Sequence, residues 1–245
     1  NSATNARAWR SFGILRSMGT SRSADILILA AHAPELVGLR TALGPGLAGT
    51  VSNIRVVCAT VGVGLPAAAA GAMRHLRDAR PRAVLLLGSC GLYPRRAEFQ
   101  PLAALIPTGV RLVDASVESE KAAFPAPMQL LCEPDKVLSH GLAESDPGAL
   151  RGEVATTLGI TTDDSLARTL GKKSGCAGEN LEAFSVALAC ATRDLPFACI
   201  LIATNAVGSQ GREQWREYQR KAAERGAALV LDWIKQGAKG LPERG

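Results

Sequence analysis

The sequence predicts a single α/β domain of three layers, with helices over both faces of a mixed, mostly parallel central sheet. Three observations carry this. The apolar runs 26–31, 54–61, 83–87 and 197–203 are nearly unbroken, as expected of strands covered on both faces. Helix-type segments separate them, and alternating strand and helix is the pattern of layered α/β domains. The length of 245 residues, 47% of them hydrophobic, supplies one sizeable core without requiring a second domain.

The domain proper is assigned to residues 25–236, beginning at Asp25 with the first strand. Pro34 stands at a first helical position, and Leu36, Leu39 and Leu43 form an apolar stripe that ends at Gly44. The second strand, 54–61, leads into Gly62-Val63-Gly64 and an Ala-rich helix over 66–77. Such a turn can open a dinucleotide site, but the acid required about 20 residues on is missing. The glycines are read instead as allowing close approach of backbone.

The third strand, 83–87, ends in the small residues Gly88-Ser89-Cys90-Gly91. Segments 102–106 and 110–113 are predicted as two further strands, and 124–128 as a loop stiffened by Pro125 and Pro127. A helix is expected over 134–144, a strand over 154–159 and a helix over 165–171 capped by Asp163 or Asp164. Residues 172–176 read as an exposed link. A small apolar helix-like segment follows, opening with Glu179 and Glu182, then the strand 197–203 closing on Thr204-Asn205, then a long helix over 212–234. Residues 237–245 are left as a C-terminal tail.

Composition narrows the function. Residues 1–24 hold Arg7, Arg10, Arg16 and Arg22 and no acid, leaving 24 Lys and Arg against 22 acids elsewhere. The basic signal is therefore an N-terminal arm, read as a flexible extension with Met18 a candidate start and a transit-type leader as the alternative. Without a basic face, and with 4% aromatics, no nucleic-acid partner is expected. No apolar run reaches membrane-spanning length. The six cysteines contain no Cys-x-x-Cys pair and read as buried thiols of a reducing, cytoplasmic compartment. His32, His75 and His140 lack ligand spacing, so neither a metal nor another cofactor is expected.

The strand ends gather the candidate site: Glu35, Gly88, Ser89, Thr161, Thr162, Glu182 and Asn205. Five of them have a plain alternative. Glu35 suits a helix N-terminus, Glu182 a solvated helix face, Gly88-Ser89 a tight turn and Asn205 a strand-closing turn. No Gly-x-Ser-x-Gly elbow and no P-loop occurs. Two carboxylates, hydroxyls and an amide suit cleavage through an oxocarbenium-like centre, one carboxylate activating water and the other holding sugar hydroxyls.

The Gly62-Val63-Gly64 turn, the segment 81–91, Asn180-Leu181-Glu182-Ala183 and Ile202-Ala203-Thr204-Asn205 together resemble the purine nucleoside phosphorylase/nucleosidase superfamily, in family order across 25–234. The stretch Ile26–Glu35 is similar to the start of its hydrolytic members, which implies that Glu35 positions the attacking water and Glu182 binds ribose hydroxyls. The phosphate-binding arginines of the phosphorylases have no match here, since Ala31-His32 and Leu86-Leu87 stand in their places. Where methylthioadenosine/S-adenosylhomocysteine nucleosidases carry an acid, this chain has Asn205, whose amide donates and accepts at once and so matches a 6-oxopurine. That resemblance favours a futalosine hydrolase-like activity releasing hypoxanthine in menaquinone biosynthesis.

The same resemblance implies substrate contacts from Gly88, Ser89, Ile160, Thr161, Thr162, Leu181 and Thr204, with Leu181 against the sugar. It also implies a homodimer or larger homo-oligomer in which a neighbour's loop, here the one bearing Phe124, covers the 5′ end. An adenine-nucleoside nucleosidase, a phosphorylase using other cations and a non-catalytic nucleoside-binding relative are the competing readings.

Overall fold

Strand β1 (Ile26–Ala30) lies at the centre of the molecule, and its neighbours explain its unbroken apolar sequence. The computed structural model describes residues 23–94 and 99–243. Ile26, Ile28 and Ala30 face one core cluster while Leu27 and Leu29 face another, so both sides of the strand are buried. β1 runs parallel to β3 (Ile54–Thr60) and β4 (Ala83–Leu92). The short β2 (Ala48–Val51) pairs antiparallel to β3 at the edge and was not expected from the sequence.

Beyond β4 the sheet closes on itself. β4 pairs with β8 (Gly178–Asn180) and β9 (Phe197–Ala206). β8 continues to β7 (Leu150–Thr156), β7 to β5 (Ala104–Leu112), and β5 returns to β9. The two-residue β6 (Leu131–Cys132) lies outside β5. Five of these pairings are parallel and four antiparallel, giving the mixed sheet of the expected three-layer α/β/α domain.

One face carries a 3-10 helix (Ala33–Leu39) continued by α1 (Arg40–Leu43), with Leu36, Leu39 and Leu43 buried as the stripe predicted. The short α3 (Ala115–Glu118) follows β5 and lies off this layer, Ala115 packing against the small cluster of Tyr93 and Val207. α4 (Lys136–Glu144) and α7 (Gly211–Lys235) complete this layer, where Trp233 is fully buried. On the other face α2 (Leu65–Ala79) packs beside α6 (Ala183–Ala191). α5 (Asp164–Ser174) forms a smaller cluster with Tyr93 and Val207. Asp163 caps α5, its Oδ1 accepting from Leu166 N at 2.7 Å.

Three expectations change. The two strands predicted around residue 107 are one strand, β5, because a register shift between Pro107 and Gly109 accommodates the proline. The third strand does not stop at residue 87 but runs through the small residues to Leu92. Residues 172–174 belong to α5 rather than to an exposed link, and Cys176 is buried. The glycines 62 and 64 do hold left-handed φ angles, +101° and +84°. At Gly71, α2 sits against the carbonyl of Val61, where any Cβ would collide with backbone. That contact seats α2 on the sheet. The basic arm, residues 1–22 of it, lies outside the described residues; its last two residues, Ser23 and Ala24, are tied to Arg55 and Ala79.

Candidate active site

The extension of β4 past Leu87 builds the site. Gly88 has no side chain to fill the space where Glu35 arrives: a Cβ there would lie 3.4 Å from Glu35 Oε1. The 3-10 helix delivers Glu35 in its first turn, where the side chain folds back on the chain before it. Oε2 accepts from Ala31 N at 2.9 Å and His32 N at 3.3 Å. Oε1 accepts from Ser89 N at 3.2 Å and lies 3.4 Å from Ser89 Oγ. The helix-start role read for Glu35 is therefore real, and it coexists with a position on the sheet's carboxyl end.

Ser89 also connects the first carboxylate to the second. Its carbonyl accepts from Asn180 Nδ2 at 3.0 Å, and Asn180 Oδ1 accepts from the backbone N–H groups of Glu182 at 2.9 Å and Ala183 at 2.8 Å. Asn180 thus satisfies the free N–H groups at the start of α6 and fixes where Glu182 stands. Glu182 is buried, and its Oε1 accepts from Gly64 N at 2.8 Å, which gives the Gly62–Gly64 turn a role at the site. Burial pushes the Glu182 carboxyl up to about 7, with the nearby Glu35 charge acting in the same direction and the Gly64 N–H against it. His32 Nδ1 lies 3.2 Å from Glu35 Oε2, and this contact raises the imidazole's pKa while partial burial opposes it.

The third group lies further along β4. Gly91 stands opposite Asn205 on one side and Glu179 on the other. A Cβ on Gly91 would meet Asn205 Nδ2 at 2.7 Å, so glycine permits the amide to lie across the strand. Asn205 Nδ2 donates to Ala206 O, and its Oδ1 accepts from Thr204 Oγ1, both at 2.9 Å. One N–H and one lone pair of the amide have no partner among the described residues. Thr204 itself is fully buried beside Cys90 O.

Glu179 departs from its sequence reading. It belongs to β8 and is buried, not a helix-start charge, because the helix begins only at Ala183. It accepts from Tyr93 Oη at 2.9 Å, Thr161 N at 2.9 Å and Thr161 Oγ1 at 2.6 Å, and so pins the loop after β7. Thr161 is buried by this contact while Ile160 and Thr162 face out on either side of it. Leu181 is half-buried between Asn180 and Glu182. Phe124 is half-buried in the loop between α3 and β6, with no described hydrogen bond or core cluster joining it to Glu35 or Glu182.

A cleft of about 520 Å³ opens over Glu35, Gly88 and Ser89, between the 3-10 helix and α7. Glu182, Asn205, Thr161 and Leu181 do not line it. Its other wall bears Trp215, Arg216 and Arg220, with Arg40 at its rim. The Trp215 ring lies 6.4 Å from that of His32. Asn180, His32 and these arginines were missed in the sequence. The signals were present: an Asn two residues before a helix acid, a His three residues before Glu35, and arginines at 212, 216 and 220 in helical spacing.

The same architecture recurs among solved structures. Futalosine hydrolase of Helicobacter pylori, as a mutant, superposes with a TM-score of 0.77 at 15% identity, covering 86% of this chain and 98% of that one. A 5′-methylthioadenosine/S-adenosylhomocysteine nucleosidase of Colwellia psychrerythraea, in complex with adenine, gives 0.77 at 20% identity over 92% of this chain and 100% of its own. The corresponding nucleosidase of S. pneumoniae gives 0.75 at 20% over 86% and 98%. At these identities the likeness is one of fold. No curated protein sequence matches the chain. A family model of the phosphorylase superfamily matches residues 12–235, a span holding every residue of the Glu35–Ser89–Asn180–Glu182 chain, and the protein belongs to that superfamily.

Proposed function

We propose that the protein is a hydrolytic purine nucleosidase that cleaves the N-glycosidic bond of a 5′-substituted 6-oxopurine nucleoside, releasing hypoxanthine, as in a futalosine hydrolase. The carrying observation is the hydrogen-bonded chain from Glu35 through Ser89 and Asn180 to Glu182, which sets two carboxylates on one strand end. The superfamily membership and the nucleosidase-type fold neighbours support the reaction class.

In this reading Glu35 orients a water beneath the anomeric carbon and takes its proton as the C–O bond forms. Positioned proton transfer of this kind contributes about 10²–10⁴-fold. The C–N bond breaks with its electron pair passing to the purine, and Glu182 holds the ribose hydroxyls as positive charge develops on the sugar. An amide cannot deliver a proton at neutral pH, so the departing purine takes its proton from water, while Asn205 donates to O6 and accepts from the adjacent ring N–H, with Thr204 fixing its orientation. Gly88, Leu181, Ile160, Thr161 and Thr162 are assigned to contacts with sugar and base in this reading.

Two copies of the chain complete the site. Leu158 and Ile160 are large apolar residues exposed at 73% and 60% next to Thr161, a surface that a second protomer would cover, and Phe124 is assigned to the neighbour's site. The protein is expected to work in the cytoplasm. The test is base release from inosine, futalosine and methylthioadenosine with and without phosphate. Phosphate-dependent release, or release from the adenine nucleoside alone, would overturn the proposal.

A further inference from the structure

Two aspartates stand at the start of α5, and one of them is enough to cap it. Asp163 accepts from Leu166 N at 2.7 Å, the bond of an N-cap. Asp164 turns away from its own helix. Its Oδ1 accepts from Ser209 N at 2.7 Å and its Oδ2 from Ser209 Oγ at 3.1 Å, so both oxygens hold the loop that follows Asn205. Gly208 permits the approach. It has a φ of +135°, and a Cβ there would run into Asp164 Oδ1.

The rest of that loop is tied as well. Ala206 N donates to Gln214 Oε1 at 2.8 Å, Val207 N to Leu92 O at 2.9 Å and Gly211 N to Gly208 O at 3.0 Å. Val207 is buried in the cluster that holds Ala167 and Leu170 of α5. Asn205 hangs its own amide on the same segment, since its Nδ2 donates to Ala206 O. On the other side of α5's first turn, Thr161 gives its N–H and hydroxyl to Glu179. Glu179 and Asn205 flank Gly91 in adjoining strands. Chain and hydrogen bonds thus close a circuit through Asn205, Ser209, Asp164, Thr161 and Glu179, and back across Gly91. In it the bonds of Thr161 with Glu179 are buried, whereas Asp164 and Ser209 meet at the surface.

A recognition group works only when held within about 0.5 Å of its productive place. The Ala206 carbonyl sets where the Asn205 amide points, and the loop held by Asp164 sets where that carbonyl lies. We propose that Asp164 is a positioning residue for base recognition, clamping the loop after β9 against α5 so that the Asn205 amide meets the purine edge. This rests on the nucleosidase reading, which gives Asn205 the base, and adds a residue that acts through it.

The test is calorimetric titration of hypoxanthine into the wild type, Asp164→Ala, Asp164→Asn, Asn205→Ala and the Asp164→Ala/Asn205→Ala double variant. Asp164→Ala is expected to weaken binding about two- to fivefold, the range of an exposed charged contact. Asp164→Asn keeps an oxygen for Ser209 N and should restore most of the affinity. The double variant should bind no more weakly than Asn205→Ala, because nothing is left for Asp164 to position. Wild-type affinity in Asp164→Ala, or losses that add in the double variant, overturn the inference. Gly208→Ala pushes the loop off Asp164 from the other side, so it should reproduce the loss in a protein with Asp164 intact, and full affinity there overturns the inference too. Hypoxanthine bound equally well by Asn205→Ala would instead remove the base role of Asn205, which tells failure of the underlying reading from failure of this one.

Discussion

His32 Nδ1 lies 3.2 Å from Glu35 Oε2, the same carboxylate oxygen that accepts the backbone N–H of Ala31 at 2.9 Å. The imidazole therefore lies against the group assigned to water activation, and its own titration reports on that group. The close approach and charge of Glu35 raise the His32 pKa above 6.5, against the effect of burial. An NMR titration of His32 should give a midpoint above 6.5 in the wild type and a lower one in Glu35→Gln. The stability this pair contributes is present below pH 6.5 and is lost as pH rises through the folded value. An unchanged midpoint in the variant would break the link.

Glu35→Gln should lower kcat/KM by about 10²-fold or more, because the amide cannot take the proton of water. The amide oxygen can still accept on one side while its NH2 faces backbone N–H groups on the other, so the variant should remain folded but lose about 1–3 kcal/mol of stability. Loss of folding in place of loss of rate would recast Glu35 as a structural cap.

Glu182 is buried with its pKa raised from 4.5 to about 7. A raised carboxyl stabilises the fold fully below pH 4.5, and that contribution is lost as pH rises through about 7. The loss is on the order of 3 kcal/mol. The difference in unfolding free energy between wild type and Glu182→Gln should therefore move in favour of the variant from pH 5 towards about 8. Under the proposed role, in which ribose hydroxyls bind the ionised form, kcat/KM should rise through about pH 7 in the wild type, and Glu182→Gln should lose that limb.

Much of this arrangement is legible before any coordinates. The strands β1, β3, β4 and β9 follow from their unbroken apolar runs, because strands covered on both faces need no polar alternation. Glu35 is legible from Pro34 and the stripe Leu36, Leu39 and Leu43, which fix the helix start. The closed sheet is not, since the pairing of β9 with both β4 and β5 depends on long-range registers with no local pattern. Glu179 was misread for a related reason. The three-residue β8 is too short to show strand periodicity, and its acid is buried only because Tyr93 and Thr161 come to it from distant parts of the chain. Asn180 was quoted within the motif 180–183 but given no role, because its partner, the Ser89 carbonyl, lies 91 residues away.

Thr161→Val should destabilise the fold by about 1–3 kcal/mol, because it removes the hydroxyl donor from the buried Glu179 carboxylate. Urea unfolding of the two proteins checks this, and a change within error would mean that water replaces the hydroxyl.

Asn205→Asp should shift the ratio of kcat/KM for adenosine over inosine upwards by tenfold or so, since an acid at this place can protonate an adenine ring nitrogen but no longer donates to a 6-oxopurine as an amide does. An unmoved ratio would detach Asn205 from base recognition.

Product identification separates hydrolysis directed by Glu35 from phosphorolysis. Incubated with futalosine or inosine in phosphate-free buffer, the wild-type protein should release hypoxanthine and the free sugar, and Glu35→Gln should release neither at a comparable rate. Base release that requires phosphate and yields a sugar 1-phosphate, or release that survives Glu35→Gln, would contradict it.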